Sequence, residues 1–412
     1  MELTPKVIAP LTSGLHKYYK PFVAPEGSFI DLQDVYVRRG VVNKRPGFST
    51  IGRTVALNTT ASGFSGFSTA NPMVVNWTAH PFHNGQRLWL EGLTGGRFPL
   101  LNNSWYEVSG ATTNSFQLVG TQPGAGVVQT IDSTMFGTYT SGAMFYGSIV
   151  GLMTLTNPTS PDVLLAFDQV YGYVFDPTAG TFTAINNGSS TSDPYPFTGA
   201  NWEYFQWYNY YSYLWLTNWH DYIAYYDGTY LNSFTPQFSA TSTDKVNAAR
   251  IVVSFKGRLL LFNTIEGAGN SPQVNRVRWS WGGSPTDSNA FRADLNNGAG
   301  YADADTDEDI VAVEFNRDQL IVFFEYSTWN LRYQGNDLLP FIWERVNIQY
   351  GAQSTNGVVA LDEYICAAGE RGLVGATSVG VQRIDLPIPD QPFEIDSSLV
   401  AADNSPPSDW QY

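Results

Sequence analysis

Tyr213-Leu214-Trp215-Leu216, and five residues later Tyr222-Ile223-Ala224-Tyr225-Tyr226-Asp227-Gly228-Thr229-Tyr230, decide how this chain folds. Both runs have strand length and consist largely of aromatic and aliphatic residues, which suit a pleated, half-buried surface. Asp227-Gly228 then serves a hairpin, because tight β-turns need a positive φ that glycine adopts without steric cost.

The same grammar extends in both directions. Upstream, Val163-Leu164-Leu165-Ala166-Phe167 leads to Gly172-Tyr173-Val174-Phe175-Asp176-Pro177 and Gly180-Thr181-Phe182. Downstream, one unit runs from Ile251-Val252-Val253 through Leu259-Leu260-Leu261-Phe262 to Arg276-Val277-Arg278-Trp279-Ser280. The next passes from Ile310 through Leu320 to Thr328-Trp329-Asn330-Leu331 and Phe341-Ile342-Trp343-Glu344. A last one starts at Gly357-Val358-Val359-Ala360 and continues through Tyr364-Ile365-Cys366 and Gly372-Leu373-Val374 to Val381-Gln382-Arg383-Ile384. Comparable points near Trp202, Ala248, Asp309 and Gly357 lie about 46, 61 and 48 residues apart, which leaves room in each unit for a four-stranded blade. Helix signals are nearly absent. Even the Gly- and Pro-free stretch from Ala302 to Gln334 contains two bounded apolar runs, at Ile310 to Val313 and Leu320 to Phe324, that read as central strands. The pattern predicts an all-β chain built as a β-propeller of about five or six blades, with the segment from Phe29 to Thr50 returning to close the ring.

Residues 71–120 break this rhythm. Val74-Val75-Asn76-Trp77, Gln86-Arg87-Leu88-Trp89-Leu90, Trp105-Tyr106-Glu107-Val108 and Ser115-Phe116-Gln117-Leu118-Val119 are evenly spaced and joined by polar, Gly-rich turns, the pattern of a small inserted β-barrel. The organisation expected is therefore a basic arm with the first propeller strands (1–60), the inserted barrel (71–120), blades (121–389) and a polar, acidic C-terminal tail (390–412).

Composition narrows the function. The 412 residues hold 22 Lys+Arg against 37 Asp+Glu, a formal charge of −15. A hydrophobic share of 43% is too high for a disordered chain. The acidic balance argues against a surface that grips nucleic-acid phosphates, since that affinity comes mostly from Lys and Arg displacing counterions. The single cysteine, Cys366, excludes an internal disulfide framework and a thiolate metal cluster, and its apolar surroundings read as a buried strand. No apolar run of about 18 residues is present to span a membrane, and the N-terminus lacks signal-peptide regions; the expectation is a soluble chain made in a cytoplasm.

Catalytic signals are weak, and no enzyme activity is expected. Four histidines exist, His16, His80, His83 and His220, without a Gly-x-Ser-x-Gly elbow. His80 and His83 read as turn residues rather than metal ligands, because no third ligand stands near them. Fourteen aromatic residues fall between Trp202 and Tyr230 and suit either packing between sheets or stacking on sugars or bases. The most localised feature is Asp303-Ala304-Asp305-Thr306-Asp307-Glu308-Asp309. Carboxylates at every second position could converge on a hard cation, which makes Asp303, Asp305, Asp307 and Asp309 candidate Ca²⁺ ligands. Against this, Glu308 occupies the position where a calcium loop carries its turn glycine, and a solvated acidic loop is the alternative.

Charge is also uneven along the chain. The first 60 residues carry Lys6, Lys17, Lys20, Arg38, Arg39, Lys44, Arg45 and Arg53 against Glu2, Glu26, Asp31 and Asp34, so a basic arm precedes an acidic body. Opposite signs on arm and body suit contacts between copies of one subunit, with Arg38, Arg39, Lys44 and Arg45 on the arm and Trp410 and Tyr412 on the tail as candidate interface residues.

Within the arm, Asp31-Leu32-Gln33-Asp34-Val35-Tyr36-Val37 and then Asn43-Lys44-Arg45-Pro46-Gly47-Phe48 resemble the opening of bacteriophage tail proteins of the packaged-DNA-stabilisation and tail-nozzle type. Lys256-Gly257-Arg258-Leu259, Arg278-Trp279-Ser280 and Phe324-Glu325-Tyr326-Ser327-Thr328-Trp329 are similar to blade fragments of that family. Thr78-Ala79-His80-Pro81-Phe82 and Trp105-Tyr106-Glu107-Val108 resemble a small β-barrel also found in ubiquitin-activating enzymes, a likeness of fold alone. The resemblance implies a structural virion protein in a short-tailed phage, assembled in copies, a hexamer, as a ring around the DNA channel. Its neighbours would be a portal adaptor and fibre or spike proteins, and DNA would pass through the lumen without specific binding. No cofactor is implied beyond the possible Ca²⁺. A glycan- or receptor-binding propeller and a propeller glycosidase, which needs two opposed carboxylates, are the other classes that the composition admits.

Overall fold

The computed structural model describes residues 63–385 except 125, 158, 159, 337 and 338, together with the backbone of the strands Val35–Arg38, Val41–Lys44 and Leu57–Asn58. Two compact units divide the chain, Met1–Ile51 and Gly52–Tyr412. In the first, Val35–Arg38 and Val41–Lys44 form an antiparallel hairpin with Val35 opposite Lys44 and Arg38 opposite Val41. The remainder of the segment expected to close a ring lies outside the described residues.

The second unit is all-β. Among the described residues its only helical elements are two short 3₁₀ turns, Phe98–Leu101 and Ala293–Leu295. Its first sheet has eight strands drawn from Leu57–Asn58 to Met144–Gly147, in the order Leu57–Asn58, Met144–Gly147, Arg87–Glu91, Ser104–Ser109, Ser115–Thr121, Val74–Trp77, Phe64–Phe67, with Val128–Thr130 on Ser115–Thr121. The sheet curls: Phe64 and Phe67 on one end strand each lie 6.4 Å by ring centroid from Phe145, near the other end. Aromatic residues dominate the enclosed core, with Trp77, Phe82, Phe98, Phe116 and Phe145 all buried. Strands expected within 71–120 are present, and the sheet reaches beyond that range at both ends because Phe64, Phe67 and Phe145 are needed to fill its core.

Five further sheets follow in chain order. The first contains Ile149–Asn157, Ser160–Asp168, Gly172–Asp176 and Thr181–Ala184. Gln206–Tyr210, Tyr213–Thr217, Ile223–Tyr226 and Leu231–Phe234 make the second, extended by Asn186–Asn187 and Ser190–Pro194. The third holds Val246–Phe255, Arg258–Glu266, Ser271–Trp279 and Gly300–Asp303, and the fourth Ile310–Asn316, Gln319–Phe324, Thr328–Tyr333 and Phe341–Asn347. Val358–Ala360, Ile365–Gly369, Gly372–Ala376 and Val381–Arg383 form the fifth. Each of the five sequence units supplies one of these antiparallel meanders.

Separate hydrophobic cores join neighbours. Leu165 and Phe167 meet Leu214 and Leu216 between the first and second sheets, and Trp215 and Phe234 meet Val252 and Leu261 between the second and third. Leu260 and Phe262 meet Leu320 and Val322 between the third and fourth, and Ile321 and Phe323 meet Ile365 and Ala367 between the fourth and fifth. First strands of successive sheets also touch in order. Sheets covered on both faces need continuous apolar strands, which is why Leu259-Leu260-Leu261-Phe262 has no polar interruption. Cys366, expected to be buried, is only half-buried, because its side of the fifth sheet is not the side packed on the fourth.

Candidate functional site

An antiparallel meander places the start of its first strand and the turn between its second and third strands at the same end. At that end of the second to fifth sheets, charged and aromatic residues converge on Arg250. Its guanidinium lies 4.8 Å from the centroid of the Trp219 ring, in the 218–222 turn of the second sheet. Arg250 Nε donates to Thr355 Oγ1 at 2.9 Å, and that hydroxyl donates to the Val311 carbonyl at 2.8 Å. One side chain on the third sheet thus reaches groups belonging to the second sheet and to the segment entering the fifth.

Carboxylates surround this point. Glu308 Oε2 accepts from the Tyr326 amide and the Ser327 hydroxyl, both at 3.0 Å, clasping the acidic loop to the turn between Phe324 and Thr328. Glu325 answers by accepting from the Asp309 amide. Burial, followed by the charges of Asp309 and Glu308, pushes the Glu325 carboxyl above its usual range, with Arg250 acting in the opposite sense. Beside it, Glu325, Tyr350, Gly369 and Arg371 line a cavity of about 10 Å³, roughly room for one water.

The adjoining loops of the second sheet form a second cluster. His220 Nδ1 stands 3.1 Å from Glu203 Oε1. The hydrogen bond that His220 donates to Glu203 raises the His220 pKa against partial burial. Asp221 accepts from the Thr198 amide and hydroxyl and from Asn218 Nδ2, which fixes the 198–203 loop over the 218–222 turn. Gly199 permits the approach: a Cβ there would lie 2.7 Å from Asn218 Nδ2 and 3.0 Å from Glu203 Oε2. At the same end Trp202, Tyr204, Tyr222 and Tyr326 are exposed.

The opposite part of the first strands is apolar. Tyr208 of the second sheet meets Phe315 of the fourth at 6.3 Å, and Phe255 of the third meets Phe315 at 5.9 Å. Glu314 lies here, and burial pushes its carboxyl up. The Tyr208–Phe315 contact thus joins first strands that lie two sheets apart.

The four aspartates of the acidic stretch are not gathered. Asp303 ends its strand and forks onto Arg276 at 2.7 and 2.8 Å. Asp305 points into solvent near Arg345, Asp307 is exposed, and Asp309 is half-buried with its amide on Glu325. Among the described residues no group of three or more His, Cys, Asp or Glu is placed to hold a metal ion, so the expected convergence on Ca²⁺ does not occur there. The physical reason is that pairing of Gly300–Asp303 with Ser271–Trp279 commits Asp303 to Arg276 before the loop begins. His80 accepts the Phe82 amide and contacts the Ser115 carbonyl, which makes it a turn residue. Arg38 and Lys44 fall on the first unit's hairpin; Arg39, Arg45, Trp410 and Tyr412 lie outside the described residues.

Sequence reading missed both Arg250 and the His220–Glu203 pair. An arginine inside Ala248-Ala249-Arg250-Ile251 was a visible signal for the first. The second depends on two loops folding together and had none.

No protein family and no curated protein matches the chain. Among solved structures it is similar to the extracellular domain of a one component system of B. thetaiotaomicron, at 10% identity and TM-score 0.35, over 78% of this chain and 35% of that one. The chain therefore spans about a third of that structure's length. A computationally designed protein, Ika8, is similar at 10% identity and TM-score 0.33, over 78% and 86% of the two chains. The endosialidase of phage phi92 is similar at 11% identity and TM-score 0.24, over 83% and 50%.

Proposed function

We propose that this protein is a structural component of a short-tailed phage tail, a β-propeller subunit with a small inserted barrel that assembles as a ring around the DNA channel. The observation that carries the reading is the Arg45-Pro46-Gly47 opening followed by five meander sheets whose first strands succeed one another in order. Apolar contact between first strands, as at Tyr208 and Phe315, favours a channel made by several copies together over one through a single subunit. The ring would retain packaged DNA and let it pass at infection, and an excess of carboxylates on the body favours sliding over gripping. Electron microscopy of the purified full chain tests this: rings with an axial channel are expected, and a monomer at all concentrations would count against it.

A second reading has a specific observation behind it. Trp202, Tyr204, Tyr222 and Tyr326 are exposed at the same end as the Glu325 and His220 clusters, the arrangement a glycan-binding face would need. Glycan-array binding lost on Trp202→Ala and Tyr326→Ala would favour it; release of reducing sugar would shift the reading to a glycosidase.

A further inference from the structure

The end strand Phe64–Phe67 of the eight-stranded sheet and the 134–139 loop border a cleft of about 490 Å³, within the range of about 300–1,000 Å³ that small-ligand sites occupy. Ser65, Gly66, Phe67 and Thr69 line it from the strand side, and Thr134, Gly137, Thr138 and Tyr139 from the loop. Both sides are pinned. The buried Ser133 accepts the Ala70 amide on its hydroxyl at 3.0 Å, donates that hydroxyl to the Ser68 carbonyl at 2.7 Å, and donates its own amide to the Ala70 carbonyl at 3.0 Å. Farther along the loop, the Tyr139 ring packs on Phe67 at 5.0 Å, Phe98 at 5.6 Å and Phe64 at 6.1 Å. Gly66 permits this approach: its φ is +113°, and a Cβ there would lie 3.2 Å from Tyr139 Cδ1.

The lining is rich in hydroxyls and holds no charged side chain. Ser65 donates to the Asn76 carbonyl at 3.2 Å and Thr134 to Asp132 Oδ1 at 2.7 Å, so both keep lone pairs with which to accept. The hydroxyls of Thr69 and Thr138 have no partner among the described residues and are available to donate. A ligand matched to this lining must therefore both donate and accept at several points, as hydroxyl groups do. It must also be uncharged, because a charge set against these groups would lose hydration without gaining a counter-ion. Asp132, bonded to Thr134, weighs further against an anion. Phe67 and Tyr139 add aromatic surface, whose electron-rich faces attract the weakly positive C–H groups of a sugar ring.

A peptide strand is the competing occupant of a sheet edge. Here the register shift between Phe64 and Gly66, together with the positive φ of Gly66, interrupts the regular row of backbone groups that strand addition needs.

We propose that this cleft binds a neutral hexose unit of a glycan, with Thr69 and Thr138 donating to it, Ser65 and Thr134 accepting from it, and Phe67 and Tyr139 against its C–H face. None of these residues belongs to the face that carries Trp202, so the inference rests on neither reading given above.

The test applies the full chain to an array of neutral oligosaccharides built from glucose, galactose and mannose, of sialylated and uronic-acid oligosaccharides, and of extended peptides. Binding to neutral oligosaccharides in preference to the other two classes is expected. The double variant Thr69→Val/Thr138→Val, at two exposed positions, should weaken that binding at least about tenfold at unchanged melting midpoint. Trp202→Ala and Tyr326→Ala should leave it unchanged. Hydrogen exchange of the natural chain needs no variant: the bound sugar should slow exchange at 65–69 and 134–139. Absence of neutral-sugar binding, preference for acidic sugars or peptides, indifference to the valine pair, or protection confined to other segments would each overturn the proposal. So would loss of binding on Trp202→Ala alone, which would instead favour the Trp202 face as the glycan site.

Discussion

The third and fifth sheets share one topology and differ in almost everything else. Val246–Phe255 and Arg258–Glu266 of the third sheet are buried nearly throughout, because the second and fourth sheets cover both faces. The third sheet also carries a chain of ion pairs across its second, third and fourth strands. Glu266 receives Arg278 at 2.8 and 2.9 Å and Arg276 at 3.1 Å, while Arg276 forks onto Asp303; Arg278 in turn lies 4.1 Å from the Phe238 ring centroid. Short strands, small residues and one open face characterise the fifth. Position in the series, rather than strand pairing, therefore decides how much each sheet can lose before it fails.

The largest effect should come from breaking the buried charges. Glu266→Ala leaves Arg278 enclosed without its counter-ion, and a loss of about 3–5 kcal/mol is expected in chemical denaturation. A loss below about 1 kcal/mol would mean that water replaces the carboxylate and that the third sheet is not as closed as its burial indicates. Slightly smaller, Leu261→Ala should cost about 2–5 kcal/mol by leaving a cavity, whereas Val359→Ala on the open face of the fifth sheet should stay within roughly 1 kcal/mol. Equal costs would erase the contrast between the two sheets.

Acid should act on the same contrast. Burial pushes the Glu266 carboxyl up, but Arg278 and then Arg276 outweigh it and hold the folded pKa below the usual 4.5. A depressed carboxylate stabilises the fold above its unfolded pKa and loses that contribution as pH falls through the folded value. Natural protein and Glu266→Gln should accordingly differ most near neutrality, and the difference should shrink as pH falls below 4.5 towards the depressed folded value. A difference that grows in acid would contradict the pairing.

The same contrast governs what could be read in advance. Leu259-Leu260-Leu261-Phe262 and Leu320-Ile321-Val322-Phe323-Phe324 identify themselves because a strand covered on both faces has no reason to alternate. Ile365-Cys366-Ala367-Ala368 shows less, since its open side carries small and half-buried residues that look like the covered side. The acidic stretch was legible as charge but not as geometry: Asp303 belongs to a strand and Arg276, Glu308 to a neighbouring turn, and neither destination is local in sequence. Arg250 was legible only as an oddity, because its partners Trp219 and Thr355 come from two other parts of the chain.

The smallest predicted effect concerns the loops of the second sheet. His220 faces Glu203 and Asp221, with Asn218 bonding the His220 backbone, and its side chain is 48% exposed. The Glu203 hydrogen bond raises its folded pKa above 6.5, so the stabilisation is fully present below the unfolded value and disappears as pH rises through the folded one. Solvent screening limits an exposed pair to about 0.2–1 kcal/mol. His220→Gln should therefore lower the melting midpoint slightly near pH 5.5 and leave it unchanged near about pH 8.5. Because Asp221 holds Thr198 and Asn218 without the histidine, the loop should keep its place in both conditions, and a pH-independent loss would show instead that His220 acts by packing rather than by charge.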